Sequence, residues 1–479
     1  MWAVGLAFTV VAALAGAPPP AVGAGADEAA NLLFLQHCAQ CHGVQRYGGY
    51  APPLIPQSLQ RRKDAELEQI ILKGRPQTQM PAFAEVLRPE QVKQLLAHIR
   101  TPVPVVRWEM ADIRASRQEP EPVAKAYTPP AHPGRVVLVV ERGLGQVVVL
   151  DGDTMERLDT FPVGPIHGGP KFTDDYATVF STTRDGTVVR YSMHSGQVEA
   201  RVKVAVNTRN IAVSPDGAWV AAVNQLPANL VLLDGKLNPV AVVPLEGAPS
   251  AVYHLPGTQR FVLTLRNAPT MVMVEYPSMQ VERRPLPLPF EDFTFVPGRA
   301  QALASARGGK QVLLYDLESG NVPYTLDTTG LPHLFSATYF KREGRLHAAL
   351  NHIGVPTLSI LDLDRHALVR QFTLKGAGYF VRTHPGTPWL WADTNTEALQ
   401  LVDKATLTLR EVPLVPQTGR KAMHVEFTAD GAQAMVSIWH PQGAMVVYDA
   451  KNLTEIRRMP FNMPIGKYNA RNKTHFPLE

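Results

Sequence analysis

Cysteine is nearly absent from this chain, with two residues in 479. That scarcity argues against a structural zinc site, which takes four nitrogen or sulfur ligands, because no second Cys or Cys/His pair stands at ligand spacing. The thioredoxin-like pattern that a redox dithiol requires is also missing. The formal net charge is only +5, which gives no argument for nucleic acid. Neither a Walker loop nor a dinucleotide fingerprint occurs. The apolar run near the amino terminus, about fifteen residues, is shorter than the ~20 that a spanning helix takes, and no integral membrane protein is expected.

What cysteine there is sits in one stretch, "LQHCAQCHGVQ", as Cys38 and Cys41 with His42 directly after. Two thiols three apart beside an imidazole suit covalent capture of a heme. The thiols take its vinyl groups and His42 takes the iron from one side. Such attachment is made outside the cytoplasm, and residues 1–25, apolar and then rich in small residues, read as a signal peptide. The expected location is the periplasm. A second axial ligand usually comes from a downstream loop. "QMPAF" offers Met80, ahead of an amphipathic helix from about Arg88 to Arg100, apolar at Val92, Leu95, Leu96 and Ile99. The plainer role for Met80 is a core filler. Residues 26–102 therefore resemble an all-α class I cytochrome c domain with one covalent heme c. Residues 103–133, proline-rich and without periodicity, read as an interdomain linker.

From 134 to 479 the pattern repeats. Short β-branched runs end at Asp151, Ser192, Asp234, Glu275, Asp316, Asp362, Asp403 and Asp449, at spacings of 41, 42, 41, 41, 46, 41 and 46. Eight units of about four strands at this period predict an eight-bladed β-propeller. The first unit opens on a second-strand sequence, "RVVLVV", so the carboxy-terminal "MPIGKYNARNK" is expected to supply its inner strand and close the ring.

Propeller geometry puts two sets of loops on one face: those leading into inner strands and those joining second to third strands. The first set carries His167, Arg209, His333, His424 and Tyr468. The second carries Arg142, Arg184, Asn224, Arg266, Arg307, His352 and the Trp439–His440 pair. Singly, each arginine reads as a solvated loop charge; five converging suit a ligand with several carboxylates or phosphates. Trp439 either stacks on that ligand or serves as a structural wedge. His254 and His384 fall on the opposite face, and His347, His366 and His475 have no converging partners.

Across both domains the chain resembles the cytochrome cd1 group, a cytochrome c domain followed by a propeller that holds heme d1. The likeness is carried by "PIHGGPKFTDDYATVFSTTRDGTVVRY", "GAGYFVRTHPGTPWLWADTNTEALQLVD" and "MVSIWHPQGAMVVYDAKNL" with "MPIGKYNARNK". It implies that His167 is the proximal ligand of the d1 iron and that Arg142, Arg184 and Arg209 hold the macrocycle's carboxylates. Nitrite-reducing members use two distal histidines. One matches His333, but where the other is expected this chain has Phe290 and Glu291.

The likeness is therefore to the branch that finishes heme d1 rather than the branch that reduces nitrite. It implies oxidation of one propionate of dihydro-heme d1 to an acrylate, with electrons passing to heme c. Such a desaturation needs a base, and histidine suits neutral pH. His424 is the expected base, Tyr468 its hydrogen-bonding or substrate-orienting partner, and His333 a distal iron ligand or second proton handler. The expected partners are the tetrapyrrole, small periplasmic electron acceptors, a cytochrome cd1 nitrite reductase and other heme d1 assembly proteins. Two other readings stay open: a nitrite reductase with a reduced distal site, and a non-catalytic heme d1 carrier.

Overall fold

The computed structural model describes residues 24–59, 62–75, 80–166, 168–475 and 478. They fall in two compact units, one drawn from Met1–Gln40 and Leu54–Pro102, the other from Cys41–Pro53 and Val103–Glu479. The expected signal peptide lies outside the described residues, except that Ala24 and Gly25 open the first helix.

The first unit is helical. Helices Ala24–His37, Pro56–Leu59, Asp64–Lys73 and Pro89–Arg100 enclose a core of Phe34, Leu59, Leu67, Leu87, Val92, Leu95, Leu96 and Ile99. The last helix starts where its sequence says it should. Pro89 occupies the first turn, and the Gln91 side chain accepts from the Arg88 N–H at 2.9 Å, answering a donor the helix leaves unpaired. Its apolar residues fall three and four apart and face the first helix, while His98 and Arg100 complement the carboxy-terminal dipole.

The second unit is an eight-bladed propeller. The repeating acidic residue has a structural cause. At the end of most third strands the side chain accepts backbone N–H groups two or three residues on and makes the hairpin to the outer strand. Asp151 takes Thr154 N–H at 2.8 Å, Asp316 takes Ser319 at 2.8 Å, Asp403 takes Thr406 at 2.7 Å and Asp449 takes Asn452 at 2.9 Å. This is the Asx turn, so the period marks a corner of each blade. The bonds hold the Asp316 and Asp449 carboxyls below their ordinary range. Valine, leucine and isoleucine on the broad strand faces pack blade against blade. At one seam Val137, Val139, Val148 and Leu150 meet Met435, Met445 and Val447.

Strand Pro464–Asn469 pairs antiparallel with Val137–Glu141, Leu138 opposite Tyr468, and so takes the inner place of the first blade. Blade seven has three strands, Val381–Arg382, Trp389–Asp393 and Leu399–Asp403. Isolated bridges Leu399–Leu414 and Val402–Leu409 stand where its outer strand would be. Residues 103–133 are more than a solvated tether. Helix Met110–Ser116 buries Ile113 against blades two and three, Trp108 Nε1 donates to Lys203 O at 2.9 Å, and Gln118 bridges to Arg201. Among the described residues no helix is long and apolar enough to cross a membrane.

Candidate functional site

The inner strands ring the central channel, and several break their own register there. The ladder skips Arg209 in Asn207–Val213, Glu291 in Phe290–Phe295 and His424 in Lys421–Phe427. In blade six the inner strand is cut in two, Leu331–Pro332 and Thr338–Arg342, by a turn at Leu334–Ser336 directly after His333. A bulge takes one residue out of the ladder and re-aims its side chain. His424 pays for this with a left-handed backbone, φ 50°. His424 and Tyr468 thus stand on channel-lining strands rather than on the loops where the sequence pattern put them, because alternation and bulging turn them inward.

Blades six, seven, eight and one bring His333, His424 and Tyr468 into a file of rings. Phe380 lies 5.5 Å from His333 and 4.7 Å from His424, centroid to centroid, and Tyr468 lies 5.5 Å beyond His424. The histidines differ chemically. His333 Nδ1 lies 2.7 Å from Tyr379 O, a carbonyl that can only accept. The proton is therefore on Nδ1 and the Nε2 lone pair is free, as a metal ligand requires. His424 Nδ1 faces the Lys467 N–H at 3.4 Å, a long contact with a group that can only donate, which favours an Nδ1 without a proton. Burial lowers both histidines below the ordinary range, with Lys467 and Arg382 adding to the effect at His424. Both are neutral near pH 7. Burial pushes the Tyr468 phenol up to about 12, so it keeps its proton. Its ring fills the space over Gly169 and Gly466, where any Cβ would run into it.

Blades one to three contribute cations. Arg184 is pushed down to about 9 by burial, then by repulsion from Arg209 and Arg142. Among the described residues no acidic side chain pairs with Arg184. Lys171, on the inner strand of blade two, is brought down to about 8 by burial alone, with its Nζ 5.7 Å over the Phe335 ring. On the far side Arg382 acts electrostatically on His333, His424, Tyr468 and Lys473. Its Nε is buried with no hydrogen-bond partner. Half-buried cations such as Arg184 and Lys171, with no acidic partner among the described residues, are a donor set for an anion, and the spread of cations around one channel fits a macrocycle bearing several carboxylates.

Other face residues have partners of their own. Arg266 forms an ion pair with Glu291. Asn224 is buried and bonded to Thr208 and Asn229. His352 uses both nitrogens, on Thr329 O at 2.8 Å and Ser359 Oγ at 2.9 Å. Trp439 is half-buried opposite Lys421 at the end of its strand, with no ring contact among the described residues. His254 bonds Tyr276 OH at 2.8 Å, a structural contact. His167, the expected proximal ligand, lies outside the described residues. Sequence reasoning missed Arg382, Lys171, Asp393 and Lys467. The first two stand on two-residue inner strands too short to show alternation, and the last two look like an ordinary strand-end acid and a mid-strand lysine until the bulge at His424 is seen.

In the heme-binding motif, Cys38 follows the first helix, its N–H on Phe34 O at 2.8 Å, and Cys41 and His42 end a short helical turn. Neither cysteine is in a disulfide, and both are partly exposed. His42 Nδ1 lies 2.7 Å from Pro52 O. Like His333, it therefore keeps its proton on Nδ1 and offers Nε2, which fits the ligand of a heme c. Met80 is half-buried, its carbonyl accepting Arg75 N–H at 3.0 Å.

A covalent-heme motif, a helical unit and an eight-bladed propeller with a cation-lined channel, in one chain, define a class. Residues 131–473 match the family described as the cytochrome D1 heme domain, and the chain belongs to that family. Residues 25–99 match the cytochrome c oxidase, cbb3-type, subunit III family. Within the class, the chain is 39% identical to the dihydro-heme d1 dehydrogenase of Pseudomonas aeruginosa, over 92% of this chain and 94% of that one. A solved structure of dihydro-heme d1 dehydrogenase NirN in complex with DHE superposes with a TM-score of 0.78 at 38% identity, covering 93% of this chain and all of that one. Similarity to the nitrite reductase of Stutzerimonas stutzeri is weaker, 22% identity over 96% of this chain and 95% of that one.

Proposed function

We propose that this protein is a periplasmic dihydro-heme d1 dehydrogenase, an oxidoreductase of heme d1 biosynthesis in denitrification. The observation that carries the reading is the file His333–Phe380–His424–Tyr468 set against half-buried Arg184 and Lys171, which have no acidic partner among the described residues, in a chain 39% identical to a dehydrogenase of that name. The reaction turns a –CH2–CH2–COO⁻ side chain into –CH=CH–COO⁻. Two C–H bonds break, one C=C bond forms, and two protons and two electrons leave.

Arg142, Arg184, Arg209 and Lys171 hold the carboxylates of the tetrapyrrole, and Arg382 holds the reacting side chain beside the rings. His424, neutral, takes a proton from carbon. Tyr468 donates a hydrogen bond that orients the substrate, and His333 turns Nε2 toward the substrate iron, with His167 as the proximal ligand. Trp439 flanks the macrocycle. A heme c held by Cys38, Cys41, His42 and Met80 supplies one-electron acceptance, and small periplasmic carriers take the electrons onward. Nitrite reduction is disfavoured because a buried Glu291, paired with Arg266, stands where a second proton-donating histidine is needed.

The test is anaerobic incubation of the heme c-loaded protein with dihydro-heme d1 and an electron acceptor. The absorption spectrum should become that of heme d1. A spectrum that stays that of the substrate would sink the dehydrogenase reading and favour a carrier.

A further inference from the structure

The bulge at His424 leaves a backbone N–H and C=O without ladder partners inside a closed protein, and a buried unpaired peptide group costs free energy. Two side chains of opposite charge answer them. Asp393 Oδ2 accepts the His424 N–H at 3.2 Å, and Lys467 Nζ donates to the His424 carbonyl. Lys467 Nζ also reaches Met423 O at 3.4 Å and Ser437 Oγ at 2.7 Å. Both charged residues are buried, Asp393 at 1% exposure and Lys467 at 0%.

The other oxygen of the same carboxylate serves His333. Asp393 Oδ1 accepts the N–H groups of Tyr379 at 2.7 Å and Phe380 at 3.1 Å. The carbonyl of Tyr379 is the acceptor for His333 Nδ1–H, and it also takes the Ser336 hydroxyl at 2.6 Å. The ring of Phe380 separates the two imidazoles. Gly378 lets the turn lie on Asp393, since a Cβ there would strike the Asp393 backbone.

We propose that Asp393 is the positioning residue that aims both histidines into the channel. One carboxylate oxygen fixes the turn from which His333 hangs, and the other fixes the displaced backbone of His424. Lys467 completes the arrangement by holding the far end of the His424 peptide. A carboxylate is suited to this work because it accepts on both oxygens at once. An amide of the same shape turns a donor toward one of the N–H groups and frees either the His333 turn or the His424 bulge. Asp393 reaches the substrate only through the two histidines.

The catalytic part of this inference rests on the dehydrogenase reading, so one arm of the test needs no conversion. In wild-type apoprotein the amides of Tyr379, Phe380 and His424 should exchange with deuterium as slowly as the flanking strand amides, although they lie in a turn and a bulge. In Asp393→Asn the exchange of those amides should rise about tenfold or more while the rest of the propeller is unchanged. Amides that exchange as fast as exposed loops in the wild type would overturn the proposal, even if the variant does not fold. In the second arm, with wild-type conversion as the control on the reading itself, Asp393→Asn should lower kcat by about 10–100-fold with little change in KM. Combined with His424→Ala it should cost clearly less than it costs alone, because its main route is already gone. A full second multiplication of the losses would mean that Asp393 supports the fold and not the histidines.

Discussion

Two halves of one channel handle charge in opposite ways. In blades one to three, Arg184 and Lys171 are half-buried without acidic partners among the described residues, and Arg142 and Arg209 stand close enough to Arg184 to repel it. On the other side, Asp393, Lys467 and Glu426 are buried and Lys473 is half-buried, yet each meets an opposite charge or a peptide dipole. Lys473 lies 2.6 Å from Glu426, and Asp393 and Lys467 share the His424 peptide. A buried charge left alone is costly until a ligand answers it, whereas one that is answered costs less and rigidifies its surroundings. The first half is arranged to wait for an anion, and the second to hold neutral rings still. Binding and chemistry are thereby separable, and substitutions should separate them.

The largest effect should come from the second half. His424→Ala should lower conversion of dihydro-heme d1 by about 10²-fold or more, the scale of a positioned acid or base, with affinity within about threefold of wild type. Tyr468→Phe keeps the ring and removes the hydroxyl, and should lose turnover in the same sense. If the two variants convert at the wild-type rate, the proposed base pair is wrong, the division between the halves falls with it, and His333 becomes the next candidate. In the first half Arg184→Ala should do the reverse. It should lose ~1.5–3 kcal/mol of binding, about 10–100-fold in Kd, with kcat at saturation close to wild type. A loss of kcat without a loss of affinity would merge the two halves into one catalytic set.

The two halves were unequally legible in the sequence. The propeller and its eight blades were plain, because an Asx-turn residue recurs about every forty positions and cannot drift without breaking a hairpin. The heme motif was plain because its chemistry fixes its spacing. The arginine loops could be placed by strand counting, but counting could not tell that Arg266 spends its charge on Glu291 or that His352 is bonded at both nitrogens. Asp393 and Lys467 were invisible for a different reason. They serve a bulge, and whether a strand skips one residue depends on its partner strand, which no local pattern reports. Arg382 stands on a two-residue strand where no alternation can show.

A smaller effect tests how tightly the second half is held. Gly466→Ala keeps an ordinary backbone conformation, since Gly466 has no positive φ, but puts a methyl group against the Tyr468 ring and hydroxyl. Turnover should fall about tenfold, the scale of a displacement below 1 Å, while affinity and thermal stability change little. Unchanged turnover would mean that the tyrosine hydroxyl does not need its present position.

The smallest effect is on pH, and it sets the two states of the first half against each other. Burial lowers Lys171 to about 8 from an ordinary 10.5. Without ligand, the unfolded chain binds more protons than the folded one between those values, so this residue makes the apoprotein more stable as pH rises from about 8 toward 10.5. A bound carboxylate favours the ammonium and raises its pKa, so the complex holds more protons than the free protein, and affinity must fall as pH rises through the same window. One group changes affinity by at most about tenfold per pH unit, and a several-fold weakening between pH 7 and 9.5 is expected. Affinity titrations at the two values, beside melting curves of the apoprotein, should give slopes of opposite sign. Lys171→Met should flatten both. Affinity that rises with pH, or a slope that survives the substitution, would show that Lys171 does not face the carboxylates.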